Sequence, residues 1–259
     1  MYKKVKRNLG ILILTFFSFL TLMPVIYIIL CSFLNDSNIS FASYYSNFLA
    51  TPGYLLKFWK SILMSSFIAL GQTSISCTAA YAFSKYCIKG SKLILGIMIL
   101  FMILPIQSTL LPNYIFLEKL SLLNTWWALI LPSVFSPLGT VWLTFIFKYV
   151  PDSILDAAKV DGANVIQIIC KVLIPTVKAP IITIFLLSFV ESWNMVEQSI
   201  IFLYDTWKYP ISVFLTVINE NSISDQAVCS IFCSLPTIGL FLYYHEEFSE
   251  GISDIVMER

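Results

Sequence analysis

A cluster of polar residues breaks an apolar run near position 190: Glu191, Ser192, Trp193, Asn194, Glu197, Gln198 and Ser199. Helical spacing sets Glu191, Asn194 and Gln198 on one face. A carboxylate inside a bilayer is costly, so it faces a cavity, water or a partner helix. Two readings stay open from the residues alone. Either this face lines a substrate pathway, or the cluster sits at the outer end of its helix or against a sister helix. For Glu197, Gln198 and Ser199 the outer end is the more natural place. A different class of function would use Glu191 and Glu197 as proton or sodium sites of a stand-alone, ion-coupled carrier.

Other chemistry is excluded. None of the glycines belongs to a G-x-x-x-x-G-K-[ST] motif, so the chain lacks a phosphate cradle for hydrolysing ATP. G-x-S-x-G and H-E-x-x-H are also missing, and His245 is the single histidine. No catalytic residue, metal site or cofactor is expected, and the chain does not read as an enzyme. The cysteines form no CxxC pair, and most lie in apolar segments, where free thiols pack as small apolar groups.

Composition sets the solvent. Of 259 residues, 58% are hydrophobic and only 12% charged, against about 25% charged in a soluble domain. The chain reads as an all-α polytopic membrane protein, one transmembrane domain over residues 1–259. Its net charge of +1 suggests no nucleic-acid partner.

Six spans are expected near residues 10–34, 61–83, 93–111, 126–147, 180–203 and 227–244, each close to the ~20 residues a bilayer requires. Pro24 would kink the first, and Pro52-Gly53 marks a turn before the second. Gln72, Thr73, Ser74, Ser76 and Thr78 make the second span's middle polar, for close helix packing or for a pathway lining. Pro105 interrupts the third span and Pro112 ends it; Pro132, Pro137 and Gly139 bend the fourth. With the N-terminus inside, 12 Lys and Arg fall on the cytoplasmic side and four on the other. The positive-inside rule then favours both termini in the cytoplasm, with an acidic tail at 245–259.

That topology makes residues 148–178 a cytoplasmic loop. Ser153-Ile154-Leu155-Asp156 fits a capping box opening a short helix, and Gly162 sits where it would end. Asn164 restarts a helix with Gln167 three residues on, and Val165, Ile168, Ile169 and Val172 share a face. Pro175 is expected to stop it.

Asp156-Ala157-Ala158, three residues, Gly162, nine residues, then Val172-Leu173-Ile174-Pro175 resembles the EAA loop of ABC importer permeases. Asp161-Gly162-Ala163 matches that loop's common D-G-A form. Asp156, Val172 and Ile174 depart from the pattern conservatively. The likeness extends to Trp59, Ser61, residues 79–84, Leu104-Pro105, Leu123-Asn124-Thr125, residues 129–132 and Trp193-Asn194, pointing to the maltose-type carbohydrate permease subfamily. It implies a type I importer permease fold in the cell membrane and half of a translocation pathway for a sugar or related polar solute. It also implies a second permease subunit, two ATPase subunits that bind the ATP, and an extracytoplasmic solute-binding protein. In that family Asp156, Ala157, Ala158, Asp161, Gly162, Ala163, Ile174 and Pro175 would form the ATPase-coupling loop.

Overall fold

The computed structural model describes residues 2–35, 38–46, 52–217, 223–247 and 249, and among these the fold is helical. Its one sheet is a two-residue antiparallel bridge, β1 (Leu34–Asn35) with β2 (Asn38–Ile39). Two compact units emerge, one from residues 1–56 and 214–235, the other from 57–213 and 236–259.

The first unit contains α1 (Tyr2–Phe33), the short α2 (Ala42–Tyr45) and the larger part of α14 (Ile223–Tyr243). From Ile11 to Leu30 the side chains of α1 are almost all exposed, although nearly all are apolar. Such a surface suits lipid, not water. Its C-terminal end is held by hydroxyls. Ser224 Oγ lies 2.9 Å from Ser43 Oγ, and Ser32 Oγ lies 2.8 Å from the Tyr44 hydroxyl. Rings of Phe33, Phe41 and Tyr44 pack around that point.

The second unit carries α3 (Pro52–Lys85, whose first turn lies in the other unit), α4 (Ser91–Ile103), α5 (Ile106–Lys119), α6 (Trp127–Val134) and α7 (Pro137–Tyr149). It continues through α8 (Asp152–Val160), α9 (Val165–Ile168), α10 (Ile174–Thr176), α11 (Lys178–Trp193) and α12 (Glu197–Phe202) to α13 (Ile211–Val217), whose last turn belongs to the first unit. Helix α4 packs along α7, and α12 packs against α5 and α6.

Four helical stretches are long and apolar enough to cross a membrane: Gly10–Phe33, Gly53–Lys85, Trp127–Tyr149 and Ile223–Tyr243. Two further stretches qualify only as bent pairs, α4 with α5 at 105° and Val165–Thr176 with α11 at 95°. Proline chemistry explains the first bend. Leu104 and Pro105 are both extended, because proline offers no amide and disfavours helix in the residue before it. Ser136 is extended for the same reason before Pro137, which then opens α7.

Several boundaries differ from expectation. Pro52-Gly53 opens α3 instead of marking a turn, since proline suits a first helical position. Pro112 lies inside α5, which runs on to Lys119. The fifth span does not reach residue 203. It stops at Trp193, where Asn194 leaves helical geometry and its Nδ2 donates to the Val190 carbonyl at 2.9 Å. A short polar side chain that satisfies a helix-end carbonyl competes with further helix. Of the tail at 245–259, only residues 245–247 and 249 lie within the described residues.

A polar clasp closes one end of this unit. Asn124, at φ 60°, receives the amides of Tyr204 and Asp205 on Oδ1, at 3.1 and 3.2 Å. Its Nδ2 donates to Asp205 Oδ2 at 2.9 Å, and Lys208 Nζ donates to its carbonyl at 2.8 Å. Asparagine is one of the few residues at ease with positive φ. The Lys208 ammonium and the Asn124 amide hold the Asp205 carboxyl below the ordinary carboxylate range.

Helices α3, α7 and α11 meet at Gly139. A Cβ there would stand 2.5 Å from Ser76 Oγ, 3.0 Å from Ser76 Cβ and 3.2 Å from Ile184 Cγ2. Gly139→Ala is therefore expected to lower stability by about 1–3 kcal/mol, read as a thermal midpoint in detergent. Ser76→Ala added to it should restore part of the loss, and no recovery would rule out this close approach as the cause.

Candidate functional site

The motif at 151–175 folds as two short helices around a turn. Helix α8 begins at Asp152 with Pro151 before it and no side-chain cap, so the expected capping box at Ser153 and Asp156 does not form. Ser153 already lies within the helix, and Asp156 Oδ1 accepts from Lys159 Nζ at 2.8 Å instead. The helix ends in a Schellman turn: Ala163 N–H reaches the Ala158 carbonyl and Gly162 N–H the Lys159 carbonyl, each at 3.0 Å. Gly162 takes φ 81°, which costs an L side chain about 1–2 kcal/mol. The second helix opens with a complete capping box. Gln167 N–H donates to Asn164 Oδ1, and Asn164 N–H to Gln167 Oε1, each at 2.8 Å.

Pro175 does not end that helix. Residues Ile169–Leu173 widen into a π-turn in which Ile174 N–H donates to the Ile169 carbonyl, and helical geometry persists to Thr176. The break falls at Val177, with φ −121° and ψ 44°. A π-turn placed ahead of proline takes up backbone that an ordinary helix would strain.

This pair has two faces. Leu155, Ile168 and Leu173 are buried against Ala80, Tyr81, Leu143, Phe147 and Ile181, and Ala158 and Ala163 pack at the edge. The other face shows apolar side chains outward: Val160 is 88% exposed and Ile166 72%, with Ile154 and Val165 also exposed. Val165 thus leaves the face expected for it, because α9 starts immediately after the turn and its first residue points out. Asp156, Ala157, Asp161, Gly162 and Pro175 are exposed, and Ile174 is half-buried.

Lys85 and Asp152 belong to this site too. Lys85 ends α3, and its Nζ donates to the Val150 carbonyl at 2.6 Å and to Asp152 Oδ1 at 2.8 Å. Its side chain is only 9% exposed. The hydrogen bond from Lys85, with its charge, holds the Asp152 carboxyl below the ordinary range. Asp152 also lies in the first turn of α8, where the helix dipole favours an anion. In the sequence, the only signal for this pair is a lysine closing one span and an aspartate after Pro151.

The polar cluster near 190 is divided by the break at Asn194, so Glu191, Asn194 and Gln198 do not share one helix face. A cavity of about 500 Å³ nevertheless gathers Glu191 and Gln198 on its wall, with Gln72, Asn113, Ser133 and Ser136. Asn194 is not on that wall and is exposed. Glu197 receives both its hydrogen bonds from Gln107 Nε2, at 3.0 and 3.1 Å. The free thiols of Cys77, Cys229 and Cys233 are buried, and the described residues hold no cluster suited to a metal ion.

This helical frame, with its exposed two-helix hook, has counterparts of known class. Residues 72–242 match the family of binding-protein-dependent transport system inner membrane components, and the chain belongs to that family. It is a membrane protein of the sugar ABC importer permease group. Protein LplC of Bacillus subtilis (strain 168) is 24% identical over 261 residues, covering 90% of this chain and 88% of that one. The arabinooligosaccharides transport system permease protein AraQ of Halalkalibacterium halodurans is 22% identical over 255 residues, covering 92% and 91%. In the crystal structure of a bacterial ABC transporter involved in the import of the acidic polysaccharide alginate, one chain superposes with a TM-score of 0.85 at 22% identity. The match covers 96% of this chain and 98% of that one.

Lys85→Met should free the first turn of α8. Amide hydrogen exchange at Ser153–Leu155 is expected to rise by about tenfold, as loss of one net hydrogen bond implies. A carboxyl held low in the folded state contributes stability above its unfolded pKa and loses it as pH falls through the folded value. Lowering the pH through and below ~4 should therefore bring wild-type exchange up to that of the variant. Equal exchange in both proteins at neutral pH would refute the anchor.

Proposed function

We propose that this chain is one permease subunit of an ATP-driven importer and forms half of a pathway for a sugar or related polar solute. The pathway lies between it and a second permease subunit. Two ATPase subunits bind and hydrolyse the ATP, and an extracytoplasmic solute-binding protein delivers the solute. The chain itself does no covalent chemistry and needs no cofactor. Six spans, with both termini cytoplasmic, put the α8–α9 hook on the ATPase side. Family membership supports this reading. So do relatives named for transport of arabinooligosaccharides and of melibiose, raffinose and stachyose.

The observation that carries the coupling role is the two-faced hook. Its inner face is fixed in the core through Leu155, Ile168 and Leu173, while Val160 and Ile166 stand out in the open. Isolated apolar side chains on a surface are ordinary. Two such residues flanking a left-handed glycine, on a rigid capped turn, suit a groove in a partner. Ala157 is small enough to let that partner approach closely. Asp156, already paired with Lys159, is exposed and able to meet a basic side chain. Closure of the ATPase dimer would move α8 and α9, and their buried face would pass the motion to α3, α7 and α11.

The ion-coupled alternative leans on Glu191 and Glu197. Glu197 is engaged by Gln107, which leaves one free carboxylate where two were expected to act. Uptake that survives loss of the ATPase and collapses with an ionophore would favour that alternative.

Asp156→Lys and Gly162→Trp are expected to abolish transport and ATPase docking while membrane insertion persists. Val160→Asp with Ile166→Asp should reduce ATPase retained on affinity purification by about tenfold or more, since buried apolar anchors dominate interfaces. Wild-type retention in all these variants, with normal uptake, would sink the coupling assignment.

A further inference from the structure

The cavity beside α11 holds hydrogen-bonding groups that the protein does not use. Gln72 is only 4% exposed and lines the cavity. Among the described residues its carboxamide has no hydrogen-bond partner, and neither do the side chains of Asn113, Ser133, Ser136, Glu191 and Gln198. Their neighbours behave otherwise. Thr73 Oγ1 donates to the Ala69 carbonyl and Ser192 Oγ to the Ser188 carbonyl, each at 2.7 Å. None of these polar atoms is sealed from the cavity, so they are free to meet water or a solute. Their volume of about 500 Å³ lies inside the range of small-molecule sites, ~300–1,000 Å³.

The second feature is charge. Among the described residues the cavity wall carries no lysine, arginine or histidine, and its single ionisable group is Glu191. An anionic solute entering here would shed water and find no cation in return, whichever protonation state Glu191 holds. A polyol finds donors and acceptors in several directions, with the rings of Phe101, Phe135 and Phe202 for its C–H faces. The relatives do not decide this point. They include a permease named for sn-glycerol-3-phosphate as well as one for melibiose, raffinose and stachyose.

We propose that this cavity is a solute-contact site within this subunit, and that it selects uncharged, hydroxyl-rich solutes over anionic ones. The inference rests on the importer reading given above. Gln72, Ser136, Glu191 and Gln198 would hydrogen-bond the solute in transit.

The test uses the complete importer in cells. They are fed a mixture of neutral gluco-, arabino- and galacto-oligosaccharides, uronate oligosaccharides of matching length, and glycerol phosphate. Importer-dependent accumulation is read by mass spectrometry. A neutral oligosaccharide is expected to accumulate. Gln72→Leu and Gln198→Leu should each reduce its uptake by about tenfold or more, because the solute's hydroxyls lose their partners. Membrane abundance and ATPase retention, measured in parallel, separate loss of contact from loss of folding. Accumulation of the uronate or phosphate species overturns the selectivity while leaving the importer reading intact. Unchanged uptake in both leucine variants overturns the contact site. An assembled importer that accumulates nothing from the mixture overturns the carbohydrate reading, and this inference with it.

Discussion

The apolar contact beneath the α8–α9 hook is the interaction on which the rest depends. Leu155, Ile168 and Leu173 are almost completely buried on Tyr81, Leu143 and Phe147. Each such side chain is worth about 1.5–3 kcal/mol when taken out of water. The Lys85–Asp152 ion pair adds less, because the carboxylate is exposed and solvent screens it. Packing therefore supplies the strength and Lys85 supplies the register. Without the buried face, α8 and α9 are too short to persist, since isolated helices below ~12 residues are marginal in water.

Stiffness in the hook comes from how its ends are closed. The Schellman turn at Gly162 and the capping box at Asn164 satisfy amides and carbonyls that would otherwise need water. The π-turn at Ile169–Leu173 then delivers the chain past Pro175 to the sharp break at Val177. A movement imposed on the exposed face would reach α11 across that break, over a few residues of tightly bonded backbone. This geometry gives the proposed coupling role a mechanical basis. It also explains why the proline sits after the turn instead of inside α9.

Much of this could be read from residue types. Gly162, Asn164 and Gln167 announce their roles locally, because positive φ and a capping box depend on neighbours within a few positions. The four long spans were legible from apolar length, and the breaks at Pro105 and Pro137 from proline. What stayed hidden depends on distant partners. Nothing near Ser153 shows that α8 starts one residue before it, since Lys85, far back in the chain, fixes that start. Pro112 and Pro52 were misread as breakers because proline is tolerated where its missing amide is unneeded. Glu191 and Gln198 were gathered by a helical spacing that Asn194 interrupts, and the fold reunites them on one wall by another route.

The same contrast bears on the cavity. A hydroxyl on a membrane helix can donate a hydrogen bond to the carbonyl four residues back. Thr73, Ser74, Thr78, Thr144, Thr183 and Ser192 all do so. These residues make α3, α7 and α11 polar in composition yet quiet in chemistry, and the polar middle of α3 is mostly of this kind. Glutamine and glutamate have longer stems that carry their polar ends away from their own backbone. Where Gln72, Glu191 and Gln198 face a common space, nothing within their own helices satisfies them. Their polar ends stay free to meet water. A passing solute rich in hydroxyls would replace that water only briefly, which suits a path that must release what it binds.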